Sequence, residues 1–194
     1  MNEHEVDEAL ARVRAMQSLV LDHQGFAGFS GLARMGGGAA ALLTALILSR
    51  AVPDVPLYHL IGWGALLAVG VAVNFAALVC WLYKNRRALS PAELWPVLEV
   101  APALAVGAAL SYAVIRADHL DLLFGVWMSL YGVSHLAYRR NLPLGVYCGG
   151  LAYVAAGIFC LMWPGIRFTD PRPMGLAFGL GELFGGWMLA KGRV

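Results

Sequence analysis

The chain has 194 residues, 60% of them hydrophobic and 13% charged, with a formal net charge of +2. A soluble domain carries about 25% charged residues, so this composition excludes a disordered chain, a coiled coil and a nucleic-acid-binding domain. A mean hydropathy of +0.68 in one domain-sized length points instead to an all-α integral membrane protein.

Residues 1–28 read as a separate unit, a cytoplasmic or interfacial amphipathic helix. Val6, Leu10, Val13, Met16 and Val20 recur at three- and four-residue steps and make one apolar face. Glu3, Glu5, Asp7 and Glu8 crowd its start, where the helix dipole favours acids, and Glu8 and Arg12 form an i,i+4 pair. A helix lying on an anionic inner leaflet is rich in Lys and Arg. This one has more acids than bases, so Val6, Leu10, Val13 and Val20 are expected to dock on the bundle or on a partner. The acidic start, with the first apolar run only near residue 30, predicts no cleavable signal peptide.

Residues 29–194 are expected to hold six transmembrane helices, at about 30–50, 57–83, 92–116, 120–138, 143–164 and 173–190. Each run can cross an apolar core of about 30 Å, which takes roughly 17–25 residues. Pro53, Pro56, Pro91, Pro143, Pro164, Pro171 and Pro173 punctuate them. Backbone groups in lipid must be satisfied within the segment, which favours helices, and no alternating strands suited to a barrel are visible.

Orientation follows from the basic residues. Arg12, Arg14, Lys84, Arg86, Arg87, Arg139, Arg140, Lys191 and Arg193 fall on one side, and Arg50, Arg116, Arg167 and Arg172 on the other. The richer side is the cytoplasmic one, which puts both termini inside, in a bacterial inner membrane. Lys84, Arg139 and Lys191 end every second helix, with Asn74, Ser129 and Glu182 at similar depth before them. Three tandem helical hairpins would give this spacing, and so would any six-helix chain with short loops.

Ala101-Pro102 in the third span, the run from Leu122 to Gly132 and the run from Gly179 to Lys191 carry a resemblance. With the acidic N-terminal helix leading into Phe29-Ser30-Gly31, they resemble a family of small bacterial six-span membrane proteins, often encoded beside a winged-helix regulator. That family has no established activity, so the resemblance implies topology alone. Where its members carry a histidine late in the last span, this chain has Glu182.

Arg34, Glu99, His135 and Glu182 lie within spans, in the cytoplasmic half. A charge at mid-bilayer costs a few kcal/mol or more, so intramembrane ionisable residues pair or serve a function. The four could form a structural ion pair, a proton relay or an anion pocket, with Arg34 as the expected partner of Glu182, then His135, and with Glu99 sharing the guanidinium. Small-xxx-small spacings at Gly145 with Gly149 and Gly181 with Gly185 predict close helix packing or an interface between proteins. Cys80, Cys148 and Cys160 sit in apolar runs and read as small buried hydrophobes rather than a disulfide or zinc set. His59 and His119 are the best pair for a bis-His haem, and Asp118, His119 and Asp121 the best metal cluster. Interfacial histidines and helix capping by Asp118 explain both, so no cofactor and no metal is expected.

These features predict a non-enzymatic integral membrane protein that works through helix packing with a protein partner or with itself, as a regulatory or accessory subunit. The alternative is a small-molecule or ion transport component with a polar site in the cytoplasmic half of the bundle.

Overall fold

The structure, a computed structural model, describes residues 31–84, 91–137 and 144–191 together with Leu10, Arg12, Val13 and Met16. At 91–100, 78, 81, 82, 137, 144 and 146 it describes the backbone alone. All regular structure among the described residues is helical. Helix α1 runs Gly31–Ala51, α2 Pro56–Lys84, α3 Pro91–Arg116, α4 Leu123–Ala137, α5 Leu144–Met162 and α6 Arg172–Lys191. The helices follow the expected runs closely. Two are long and apolar enough to cross a membrane, α1 and the Pro56–Ala77 part of α2. The apolar stretches Ala101–Arg116, Leu120–Leu136 and Tyr147–Met162 are shorter.

Boundaries have local causes. Proline opens α2 and α3, where its fixed φ suits the first helical turn and its missing N–H costs nothing. Asp170 caps α6, its Oδ1 accepting the Arg172 N–H at 3.2 Å. The fourth span starts later than expected, because Leu120–Leu122 forms a 3₁₀ turn first. Asp118 does not cap that turn; His119 holds the capping position, without a side-chain hydrogen bond. Asp118 closes α3 instead. Its φ of 57° is left-handed, its N–H donates to the Ile115 carbonyl at 3.1 Å and that of His119 to Val114 at 3.0 Å. That pair of bonds is a Schellman closure with aspartate in the place glycine usually takes.

Two antiparallel pairs, α1 with α6 and α4 with α5, make the closest helix contacts, while α2 and α3 flank them more loosely. The tight pairs thus join different members of the three expected hairpins, α1–α2, α3–α4 and α5–α6. Small residues set the approach. A Cβ at Gly38 would stand 2.8 Å from the Gly179 carbonyl on α6, and one at Gly132 would stand 2.7 Å from the Gly150 carbonyl on α5. Backbones meet directly there, as they do wherever small residues line a helix interface.

The buried apolar core lies toward the end of the bundle that holds Arg50 and the start of α6. Leu123, Phe124, Met128 and Phe168 are its largest fully buried hydrophobic side chains. Phe124 packs against Phe168 at 5.0 Å between ring centroids and edge-on against Trp63 at 6.0 Å. Asp121 anchors this core to the loop before α6, its Oδ1 accepting the Phe168 N–H at 2.7 Å. Of the cysteines, Cys160 is buried as expected, whereas Cys80 and Cys148 are exposed, because they lie on helix faces that no neighbour covers.

Candidate functional site

The polar cluster is built by four helices. Arg34 stands one turn into α1, Tyr131 and His135 lie one turn apart on one face of α4, Tyr153 is in the middle of α5 and Glu182 in the middle of α6. Arg34 Nη2 donates to Glu182 Oε1 at 3.0 Å. The hydroxyls of Tyr131 and Tyr153 donate to the same oxygen at 2.8 and 2.9 Å. Arg34 Nε lies 2.7 Å from Oε2 but makes no directed hydrogen bond, so that contact is ionic. Both charged side chains are 11% exposed.

His135 extends the network. Arg34 Nη2 lies 2.7 Å from His135 Nε2, and His135 Nδ1 lies 2.9 Å from the Tyr131 carbonyl. A guanidinium only donates, so Nε2 accepts. Nδ1 therefore carries the proton and donates to the carbonyl, which assigns a neutral imidazole. The described residues of the cluster then carry one cation and one anion.

Aromatic rings wall the site. Tyr131 meets Tyr153 edge-on at 4.9 Å, and Phe178 packs on both, at 4.9 and 5.1 Å. Glycines admit the polar groups: a Cβ at Gly185 would stand 2.9 Å from Arg34 Nε, and one at Gly181 would stand 2.6 Å from Tyr153 Cζ. Three donors serve one carboxylate oxygen and the cation lies against the other, so the charge is compensated within the protein. An ion pair this buried is costly to break, because losing one partner strands the other in low dielectric.

The structure thus brings Arg34, His135 and Glu182 together, and the side chain of Glu99 lies outside the described residues. Sequence reasoning missed Tyr131 and Tyr153. A signal existed for Tyr131, four residues before His135 and so on the same helix face; none existed for Tyr153. Among the glycines, Gly145 faces Met188 and Gly181 faces Tyr153, but a Cβ at Gly149 would meet nothing within 4 Å. Gly149 therefore makes no packing contact within the described bundle. The contact falls one residue on, at Gly150, where a Cβ would stand 2.9 Å from the Cβ of His135, because one residue turns the helix by about 100°. On the N-terminal helix, Leu10 and Val13 are 46% and 50% exposed, and Val6 and Val20 lie outside the described residues.

The other candidates are apart from the cluster. Among the described residues no group of three or more His, Cys, Asp or Glu side chains is arranged to hold a metal. His119 is exposed. His59 is fully buried, edge-on to Phe168 at 6.4 Å. Its ring nitrogens, and Trp63 Nε1 one turn later, have no hydrogen-bond partner among the described residues. Trp127 donates through Nε1 to Ser111 Oγ at 2.8 Å, and Trp187 lies under the Lys191 ammonium at 4.1 Å. Comparison with protein-family models, with curated proteins and with solved structures finds no match.

Proposed function

We propose that the chain is a six-span integral membrane protein, with both termini in the cytoplasm, that works without chemistry of its own as a regulatory or accessory subunit. It acts through helix packing with a partner protein or a second copy. The surface of α2 supports the membrane setting. Leu57, Ile61, Leu67, Val69, Val71, Val73, Phe75 and Val79 are all exposed, and they spread over all of the helix surface except the face that buries His59 and Trp63. So broad an apolar surface belongs in a protein core or in lipid, and outside the His59 and Trp63 face the described residues leave it uncovered. The charge-compensated Arg34–Glu182 cluster suits a lock between helices.

One observation carries the packing reading. Asn74 is exposed near the middle of α2, its Nδ2 donating back to the Gly70 carbonyl at 2.8 Å. Gly70, on the same face, has nothing within 4 Å of where a Cβ would be. A carboxamide in hydrocarbon seeks a polar partner on a neighbouring helix, and a bare glycine beside it lets that helix come close. The test compares wild type and Asn74→Leu, purified from native membranes and sized by light scattering. The wild type is expected to run larger than one chain and the variant as one chain, with equal helicity. A wild type that runs as one chain, or one that retains a small molecule released by Glu182→Gln, would overturn the reading in favour of a transport component.

A further inference from the structure

Beside the end of α1 and the start of α6, and bordered by the loop before α6, lies an open groove of about 830 Å³. Its walls differ sharply in chemistry. Leu46 on α1 and Leu176 on α6 line the side toward the middle of the bundle, and both are exposed. Arg50, Arg167 and Arg172 line the far end, with Asp54 and Asp170. Arg172 is already paired: its Nε and Nη2 donate to Asp170 Oδ1 and Oδ2 at 2.7 and 2.8 Å. Those hydrogen bonds hold the Asp170 carboxyl below its ordinary range, so the pair stays closed at neutral pH. The guanidiniums of Arg50 and Arg167 make no ion pair among the described residues. With Asp54 beside them, the groove keeps one net positive charge.

We propose that this groove binds an anionic phospholipid, its phosphodiester held by Arg50 and Arg167 and its acyl chain laid along Leu46 and Leu176. The inference rests on the reading that the chain sits in a bilayer. Guanidinium forks match phosphate oxygens and bind them through charge-assisted, bidentate hydrogen bonds. A basic pocket beside membrane helices can hold an anionic headgroup through the same charge attraction on either face. A single negative charge balances the groove. A free phosphate would use the arginines and leave the leucines idle, whereas a lipid uses both.

Native mass spectrometry of the full chain from detergent micelles tests this, with phosphatidylglycerol, phosphatidylcholine and glycerol phosphate each titrated in. Phosphatidylglycerol is expected to bind about tenfold more tightly than phosphatidylcholine, a difference of about 1.4 kcal/mol. Arg50→Gln with Arg167→Gln should erase that preference, and Arg50→Lys with Arg167→Lys should keep most of it, at unchanged helicity. Leu46→Gln should weaken lipid binding and leave any glycerol phosphate binding alone. Equal binding of the two lipids, or glycerol phosphate binding as tightly as phosphatidylglycerol, would overturn the proposal. If the glutamine pair unfolds the chain, the lysine pair and Leu46→Gln still decide it. A chain recovered from the soluble fraction without detergent would sink the membrane reading itself, a result separate from any lipid preference.

Discussion

Arg34 and Glu182 are 148 positions apart in the chain, yet they form the ion pair that joins α1 to α6, with Nε 2.7 Å from Oε2. The pair ties the first helix to the last, and the hydroxyls of Tyr131 and Tyr153 extend the tie to α4 and α5. Gly38 and Gly179 let α1 and α6 approach closely enough for it to form. Both charges are largely buried, and among the described residues of the cluster each is the other's only counter-charge.

Breaking this pair from one side should cost far more than removing it. Arg34→Met leaves the carboxylate with two phenols, and Glu182→Gln leaves the guanidinium with an imidazole and an amide. Each single variant is expected to lose about 3 kcal/mol or more in detergent, as buried pairs do when one partner goes. The double variant should lose less than the sum, with a coupling of about 1–3 kcal/mol. Thermal unfolding of all four proteins closes the cycle, and additive losses would disprove a direct pairing.

Tyr131→Phe and Tyr153→Phe each remove one donor to Glu182 Oε1 and leave the ring packing intact. A hydrogen bond to a charged group contributes about 1.5–3 kcal/mol. With two other donors remaining on that oxygen, each loss is expected near the lower end. The double Phe variant should lose more than twice either single loss, since only Arg34 then serves that oxygen. Equal melting of wild type and both single variants would show that the hydroxyls point elsewhere.

The helices were legible because apolar length and proline punctuation are properties of the chain itself. Even the pairing of Arg34 with Glu182 could be read from depth along two helices. The helix partners could not. Nothing in the sequence says that α1 packs on α6 more closely than on α2, since glycines dot both α2 and α6. Gly149 and Gly150 show the limit well: a small-xxx-small spacing marks a helix as approachable, while the face that is used depends on a rotation of one residue. Tyr153 was hidden for the same reason, its partner lying 29 positions away on a different helix.

That distinction between neighbours is itself testable. Gly150→Leu would push a side chain into the Cβ of His135 and the Gly132 carbonyl, 2.9 and 3.2 Å from the new Cβ. Overpacking of this kind costs about 1–3 kcal/mol, and backbone contact puts it at the upper end. Gly149→Leu meets nothing and should leave unfolding within about 0.5 kcal/mol of wild type. The comparison uses thermal unfolding in one detergent. A larger loss at Gly149 would mean that α5 is rotated relative to α4.

Asp118→Gly should stabilise the turn between α3 and α4. The left-handed region costs an L-residue roughly 1–2 kcal/mol, less for aspartate than for most. Glycine avoids that cost but has more freedom to lose from the unfolded chain. The net gain is expected to be about 0.5 kcal/mol, seen as a higher melting temperature, and Asp118→Ala should move the other way. A loss on Asp118→Gly would reveal a contact of the carboxylate that matters more than the backbone angle.

The last prediction concerns which way the helices run. Gly175 lies against Ala45 near the end of α1, and Gly31 lies against Ala190 near the end of α6, so these two helices are antiparallel. Gly125 against Gly157 and Gly132 against Gly150 make α4 and α5 antiparallel too. Asp121, at the start of α4, holds Phe168, in the loop before α6, which puts both helix starts at one end. His59, near the start of α2, packs on Phe168 as well. Asp54, Asp118 and Asp170 therefore share one end of the bundle, and Lys84 and Lys191 the other. The basic excess in the connections at the Lys191 end makes that end cytoplasmic if the bundle spans a bilayer. Reporter fusions after Arg87, Arg140 and Val194 should read cytoplasmic, and those at Asp54, Asp118 and Asp170 should read external. One inverted site would mean that a helix between it and its neighbour does not cross. Uniform cytoplasmic activity at all six would mean that none does, and the exposed apolar surface of α2 would then need a protein rather than a lipid to cover it.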